Sequence, residues 1–219
     1  MTDAKGQEQD LLGLLLIVDK QLMPYLFLLL RYEGMESFLI KVDTAHPLDL
    51  VIANAGISGS VLGDAPFEEK IKRIYEVNVL GVFNTFNPLL QRLRDRKNGQ
   101  FAVVGSLSGF FDLPRGTAYG SSKAAVFNYC RGLRGVLEPH NVGVTIICPG
   151  FVQTNFTKFT VAQGRSTPFL MSSEKACGII KSGLEKNLPV IGKFLPASSL
   201  LLFMSQLRLI PSVFLLFLP

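Results

Sequence analysis

The sequence predicts an α/β fold built on a parallel sheet with helices on both faces. Three observations carry that expectation. Short β-branched apolar runs recur at 49–54, 99–106 and 142–150; segments of helical periodicity, 66–97 and 117–140, separate them; and each run ends in turn or polar residues. Strand, helix, strand, helix, strand requires crossover connections, which implies parallel pairing and right-handed crossovers. Ligands of such sheets bind beyond the carboxyl ends of the strands, where Asn54, Ser106 and Pro149-Gly150 fall.

Each element has a local reason. "DLVIANAG" (49–56) is a buried strand leading into a turn, and the 66–97 segment opens with Pro66 and two acids before apolar residues at helical spacing. "GQFAVVGS" (99–106) and "VGVTIICPG" (142–150) are further buried strands, and Pro139 stops the helix between them. A helix capped by Ser172 or Ser173 is expected to run to about Asn187, with "LPVIGKF" (188–194) as a last short strand.

The 219 residues suit one domain, with 48% apolar and 18% charged side chains. Three well-separated cysteines, Cys130, Cys148 and Cys177, and only two histidines argue for reduced thiols in the cytosol. They argue against a disulfide scaffold, a zinc site or a Ser-His-Asp triad, and no metal is expected. Through residue 49 the chain has four basic and eight acidic residues, and beyond it 18 basic and nine acidic. A mildly basic body suits a small anionic ligand better than nucleic acid. The "RLRDRK" cluster (92–97) falls at a helix end, where cations complement the helix dipole.

The ends are different in character. "LLGLLLIVDKQLMPYLFLLL" (11–30) is apolar but interrupted by Asp19, Lys20 and Gln21, and no small-residue cleavage site follows, so neither a span nor a signal peptide is expected. The tail (194–219) carries one charge, Arg208; docking on the domain or a partner, lying in a membrane interface and spanning are its open alternatives.

In "AYGSSKAA" (118–125) Tyr119 and Lys123 stand one helical turn apart on one face, so an ammonium neighbours a phenol. Alone, this pair is a weak signal. Read with "NAG" (54–56), "YEVNVLGVF" (75–83), "GSLSGF" (105–110) and "CPGFVQT" (148–154), in that order and at those spacings, it resembles the short-chain dehydrogenase/reductase family. The resemblance implies a Rossmann-like domain and an NAD(P)-dependent oxidoreductase interconverting a hydroxyl and a carbonyl of a small molecule. It implies Tyr119 as general acid or base, Lys123 lowering the tyrosine's pKa and holding the nicotinamide ribose, Ser106 polarising the substrate oxygen, and Asn78 fixing a relay water. It also places Asn54, Ala55, Gly56, Pro149, Gly150, Val152 and Thr154, with Tyr119 and Lys123, against NAD or NADP, and suggests a homodimer through the two long helices.

The family's opening strand and Thr-Gly-x-x-x-Gly-x-Gly turn find no match, since Gly6, Gly13 and Gly34 lack that spacing. The expected organisation is an atypical apolar segment at 1–48, a truncated Rossmann-like catalytic part at 49–194 and an apolar tail at 195–219. Strand 49–54 would then be an exposed edge, with 11–30 as its expected cover. Without the glycine-rich turn, weakened cofactor affinity is expected. The alternative is a catalytically silent family derivative that binds a partner or a membrane surface. The segment 156–171, apolar with Lys158 and Arg165, is the expected substrate loop.

Overall fold

The computed structural model describes residues 31–110, 116–162, 164 and 166–192. Both apolar ends, and with them the expected cover of the first strand and the fate of the tail, lie outside the described residues. Among the described residues no helix is long and apolar enough to cross a membrane.

Helix α1 (Tyr32–Ala45) leads into β1 (Leu50–Ala53). The long 66–97 segment is helical as expected but in three pieces: α2 (Phe67–Tyr75), a π-helical turn (Glu76–Leu80) and α3 (Gly81–Arg96). Then follow β2 (Gln100–Val104), α4 (Thr117–Leu137), β3 (Gly143–Ile147), α5 (Asn155–Ala162), α6 (Ser173–Glu185) and β4 (Val190–Ile191). Ser172 is the cap of α6, its hydroxyl accepting from the Lys175 N–H at 3.3 Å.

The sheet order is β1-β2-β3-β4 and every pair is parallel, with Leu50 opposite Gln100, Gln100 opposite Gly143 and Ile146 opposite Val190. Alternation along the strands sorts the core into two layers. Phe101, Val103, Val144 and Ile146 pack with Phe86, Leu89 and Leu93 of α3 and Val126 and Cys130 of α4. Ala102 and Ile147 face the other way, onto Ala176, Ile180 and Leu184 of α6. Helices therefore cover both faces, and the strands read as continuous apolar runs because neither face meets water. Among the described residues β1 is an edge strand.

One ion cluster fixes the approach to that edge. The Asp43 carboxylate, 1% exposed, accepts from Arg96 Nη1 at 2.7 and 2.8 Å, from Arg92 Nε at 2.5 Å and from the Leu48 N–H at 2.9 Å. Two of the 92–97 cations, Arg92 and Arg96, are thus anchored by this carboxylate, while Arg94 bonds to His140.

Candidate active site

The site is assembled at the carboxyl ends of β1, β2 and β3. Beyond β1 the chain turns through Asn54, Ala55 and Gly56, and the side chain of Asn78 in the π-helical turn holds that turn in place. Asn78 Oδ1 accepts from the Ile57 N–H at 2.8 Å, and Nδ2 donates to the Ile57 carbonyl at 3.0 Å and to Ser122 Oγ at 2.9 Å. An extra residue in a helical turn is a common device at functional sites. Here it brings a fully buried amide to face both the β1 turn and α4.

Helix α4 supplies the other wall. Ser122 Oγ, receiving the Asn78 donor, gives its own proton to the Tyr119 carbonyl at 2.7 Å. Lys123 is 4% exposed; its Nζ donates to the Val104 carbonyl at the end of β2, 2.7 Å away, and lies 5.8 Å from the centre of the Tyr119 ring. Gly56 is small because of this ammonium: a Cβ there would lie 3.1 Å from Lys123 Nζ and 3.4 Å from Asn78 Oδ1. Gly109, in the 3₁₀ turn Leu107–Phe110, lets that turn lie directly on the Lys123–Ala124 backbone.

Ser106, just past β2, stands beside the Tyr119 phenol, close enough for its side chain to act on the phenol's acidity. Burial pushes the phenol above its ordinary value, and Ser106 pulls the other way. Lys123 approaches the same ring, its Nζ 5.8 Å from the ring centre. Helical stacking does place the ammonium near the ring face, but its hydrogen bond turns it toward the strand. Burial lowers the Lys123 ammonium to about 8, against the opposing influence of Cys148. The Cys148 thiol is itself pushed up to about 12 by burial, opposed by the Lys123 charge and a hydrogen bond with the Ser106 backbone. A phenol kept protonated at neutral pH, with a serine hydroxyl beside it, is equipped to donate a proton to a carbonyl oxygen.

Past β3, the Pro149 carbonyl accepts from the Leu107 N–H at 3.1 Å, and Gly150 faces the Leu107 side chain. Val152 forms a parallel bridge with Met171. Thr154 opens α5, its carbonyl accepting from the Thr157 and Lys158 N–H groups, and Thr157 Oγ1 donates to the Val152 carbonyl. Phe156 of α5 brings its ring centre to 5.9 Å from that of Tyr119.

Gly56, Asn78 and Lys123 therefore share one space, and Ser106 and Tyr119 meet beside it. Ala55 is exposed, while Val152 and Thr154 bond within their own segment and to Met171. Sequence reasoning missed Ser122, Cys148 and Phe156 as individuals. Ser122 was visible only as a small residue beside Lys123, and Phe156 only as one of several aromatics in the 156–171 segment.

Fold and site together define a Rossmann-like α/β protein carrying a Ser–Tyr–Lys group at the ends of its strands. The short chain dehydrogenase family model matches residues 19–164, and the chain belongs to that family. An uncharacterized oxidoreductase of Myxococcus xanthus is 35% identical over 140 residues, covering 64% of this chain and 54% of that protein. The probable oxidoreductase EphD of Mycobacterium tuberculosis is 37% identical over 141 residues, 63% of this chain and 24% of its own length. The chain thus spans about half or less of these relatives. A short-chain dehydrogenase from Sphingobium yanoikuyae in complex with NADPH superposes with a TM-score of 0.65 at 19% identity, covering 87% of this chain and 74% of that one. A 4-hydroxyisoleucine dehydrogenase complexed with NADH gives 0.60 at 20% identity, with coverages of 73% and 72%. These likenesses show a common fold.

Proposed function

We propose that the chain carries the catalytic part of an NAD(P)-dependent short-chain oxidoreductase that interconverts a hydroxyl and a carbonyl on a small molecule. The observation that carries this reading is the Tyr119 phenol beside Ser106, with the buried Lys123 ammonium one helical turn away. Membership of the family, and the nicotinamide cofactors named with its structural neighbours, point the same way.

The residues present fit the nicotinamide end of such a cofactor. Gly56 leaves room in front of Lys123, whose ammonium has three donors, one of them given to the Val104 carbonyl. Lys123 would hold the ribose, with Asn54, Ala55, Gly56, Pro149, Gly150, Val152 and Thr154 forming the surrounding wall. When bound, the cofactor supplies the hydride chemistry. In carbonyl reduction Ser106 holds the substrate oxygen and Tyr119 gives it a proton; in alcohol oxidation Tyr119 takes the proton back. Asn78 fixes the β1 turn beneath Lys123, and the second lone pair of its Oδ1 serves a relay water.

Two further parts of the reading concern the setting. Free Cys130, Cys148 and Cys177 suit the cytosol. The exposed Leu80 of the π-helical turn and Val136 of α4 favour a homodimer through the two long helical segments, which sedimentation at the mass of one chain would overturn.

The deciding experiment is a titration of the purified protein with NADH and NADPH, followed by nicotinamide fluorescence, beside a screen of carbonyl substrates. Binding between micromolar and millimolar cofactor is expected, weakened as the unmatched glycine-rich turn implies and retained in Tyr119→Phe, with turnover lowered on the order of 100-fold or more in that variant. No binding up to millimolar cofactor overturns the reading.

A further inference from the structure

We infer that the substrate carbonyl or hydroxyl is flanked by an uncharged apolar group, aryl or alkyl, that lies on the ring of Phe156. The inference rests on the proposed oxidoreductase reading for the role of Tyr119, and deepens it by naming a specificity residue and a substrate class.

Phe156 is set by its segment. It is the second residue of α5, whose start is tied down by the Thr157 hydroxyl bonded to the Val152 carbonyl and by the bridge from Val152 to Met171. The helix lies against the 3₁₀ turn Gly59–Leu62 that follows β1. This brings the half-buried Phe156 ring within 5.9 Å of the Tyr119 ring, tilted by 39°. Tyr119, the residue that would meet the reacting oxygen, thus has a polar neighbour in Ser106 and an aromatic neighbour in Phe156. A group on the carbon next to that oxygen meets the ring, which offers dispersion and apolar area but no hydrogen bond. A hydroxylated or ionised group would lose water there without recompense.

A second observation is independent of the ring pair. Val61, Phe110, Val161, Phe169 and Leu170 stand exposed on the three segments that follow β1, β2 and β3, around the same end of the sheet. Large apolar side chains left in water around a site mark a surface that meets apolar ligands. Lys158, two residues beyond Phe156, is exposed.

The test is saturation-transfer NMR with benzyl alcohol, cyclohexanol and glycerol, each with and without NADPH. Wild-type protein is expected to bind the two apolar alcohols and to give no signal with glycerol. Phe156→Ala should weaken their binding by about tenfold or more, as loss of apolar pocket surface does. Phe156→Leu, which keeps an apolar wall, should restore most of it, and thermal melts confirm that both variants fold. Equal binding of glycerol, or apolar binding unchanged in Phe156→Ala, overturns the inference. The NADPH arm separates the two claims. Apolar binding that depends on Phe156 but ignores NADPH, in protein that does not bind the nucleotide, sinks the oxidoreductase reading and leaves the apolar specificity standing. NADPH binding without apolar preference does the reverse.

Discussion

Gly56 shows how one missing methyl group can serve a site. Its backbone lies in an ordinary region, so alanine fits the turn, but the added Cβ would stand 3.1 Å from Lys123 Nζ. The lysine end can give way, and Gly56→Ala should therefore cost little stability, about 1 kcal/mol or less. It should weaken NADPH binding by roughly tenfold, since even a displacement worth 1.4 kcal/mol has that effect. Fluorescence titration of the variant checks this, and unchanged affinity would refute the placement of Lys123 against the cofactor. The sequence made Tyr119 and Lys123 legible as a stacked pair, because i and i+4 share a helix face. It could not reveal that the Val104 carbonyl claims the ammonium, since that contact depends on how far the end of β2 reaches under α4.

The three-part helix from Phe67 to Arg96 carries the next level of organisation. It is tied twice to the first turns of α4: Tyr75, at the end of α2, donates its hydroxyl hydrogen to Ser121 Oγ at 2.9 Å, and Asn78 of the π-helical turn donates to Ser122. Removing the second tie leaves a buried amide donor without its acceptor, a loss of about 1–3 kcal/mol. Ser122→Ala should lower stability by that amount and speed amide exchange at Ile57, whose N–H ends on Asn78 Oδ1. Exchange at Ile57 matching wild type would show that Asn78 holds its place without Ser122. Helical periodicity made the whole 66–97 segment readable as a helix. The extra residue in one turn was hidden because Val77 and Val79 are apolar and buried on either side of Asn78, so the pattern looks continuous through the change of phase. Strands β1 to β3 were legible for a simpler reason, being short apolar runs closed by turn residues.

For the molecule as a whole, the Asp43 cluster joins the α1–β1 entry to the end of α3. Burial alone would raise the Asp43 carboxyl, but the hydrogen bonds from Arg96, Leu48 and Arg92 outweigh it and hold it well below the usual carboxylate range. Its folded value is depressed, so its stabilising contribution is present above about pH 4, the ordinary aspartate value, and is lost as pH falls through the folded one. Asp43→Asn should cost about 3 kcal/mol at pH 7, with the gap from wild type narrowing in acid. Urea unfolding at neutral and acidic pH measures this, and a gap independent of pH would contradict it. The spacing of Asp43 from Arg92 and Arg96 spans some fifty positions, too far for any local pattern to connect them.

The strand order has a consequence for how the chain is made. Each strand pairs with the one that precedes it, and partners lie forty to fifty residues apart, from Leu50 to Gln100, Gln100 to Gly143 and Ile146 to Val190. No described strand has to be inserted between two that emerged earlier. The sheet can therefore grow from one side in the order of synthesis, each new strand finding its template already exposed, and β4 is the last that the described sheet awaits.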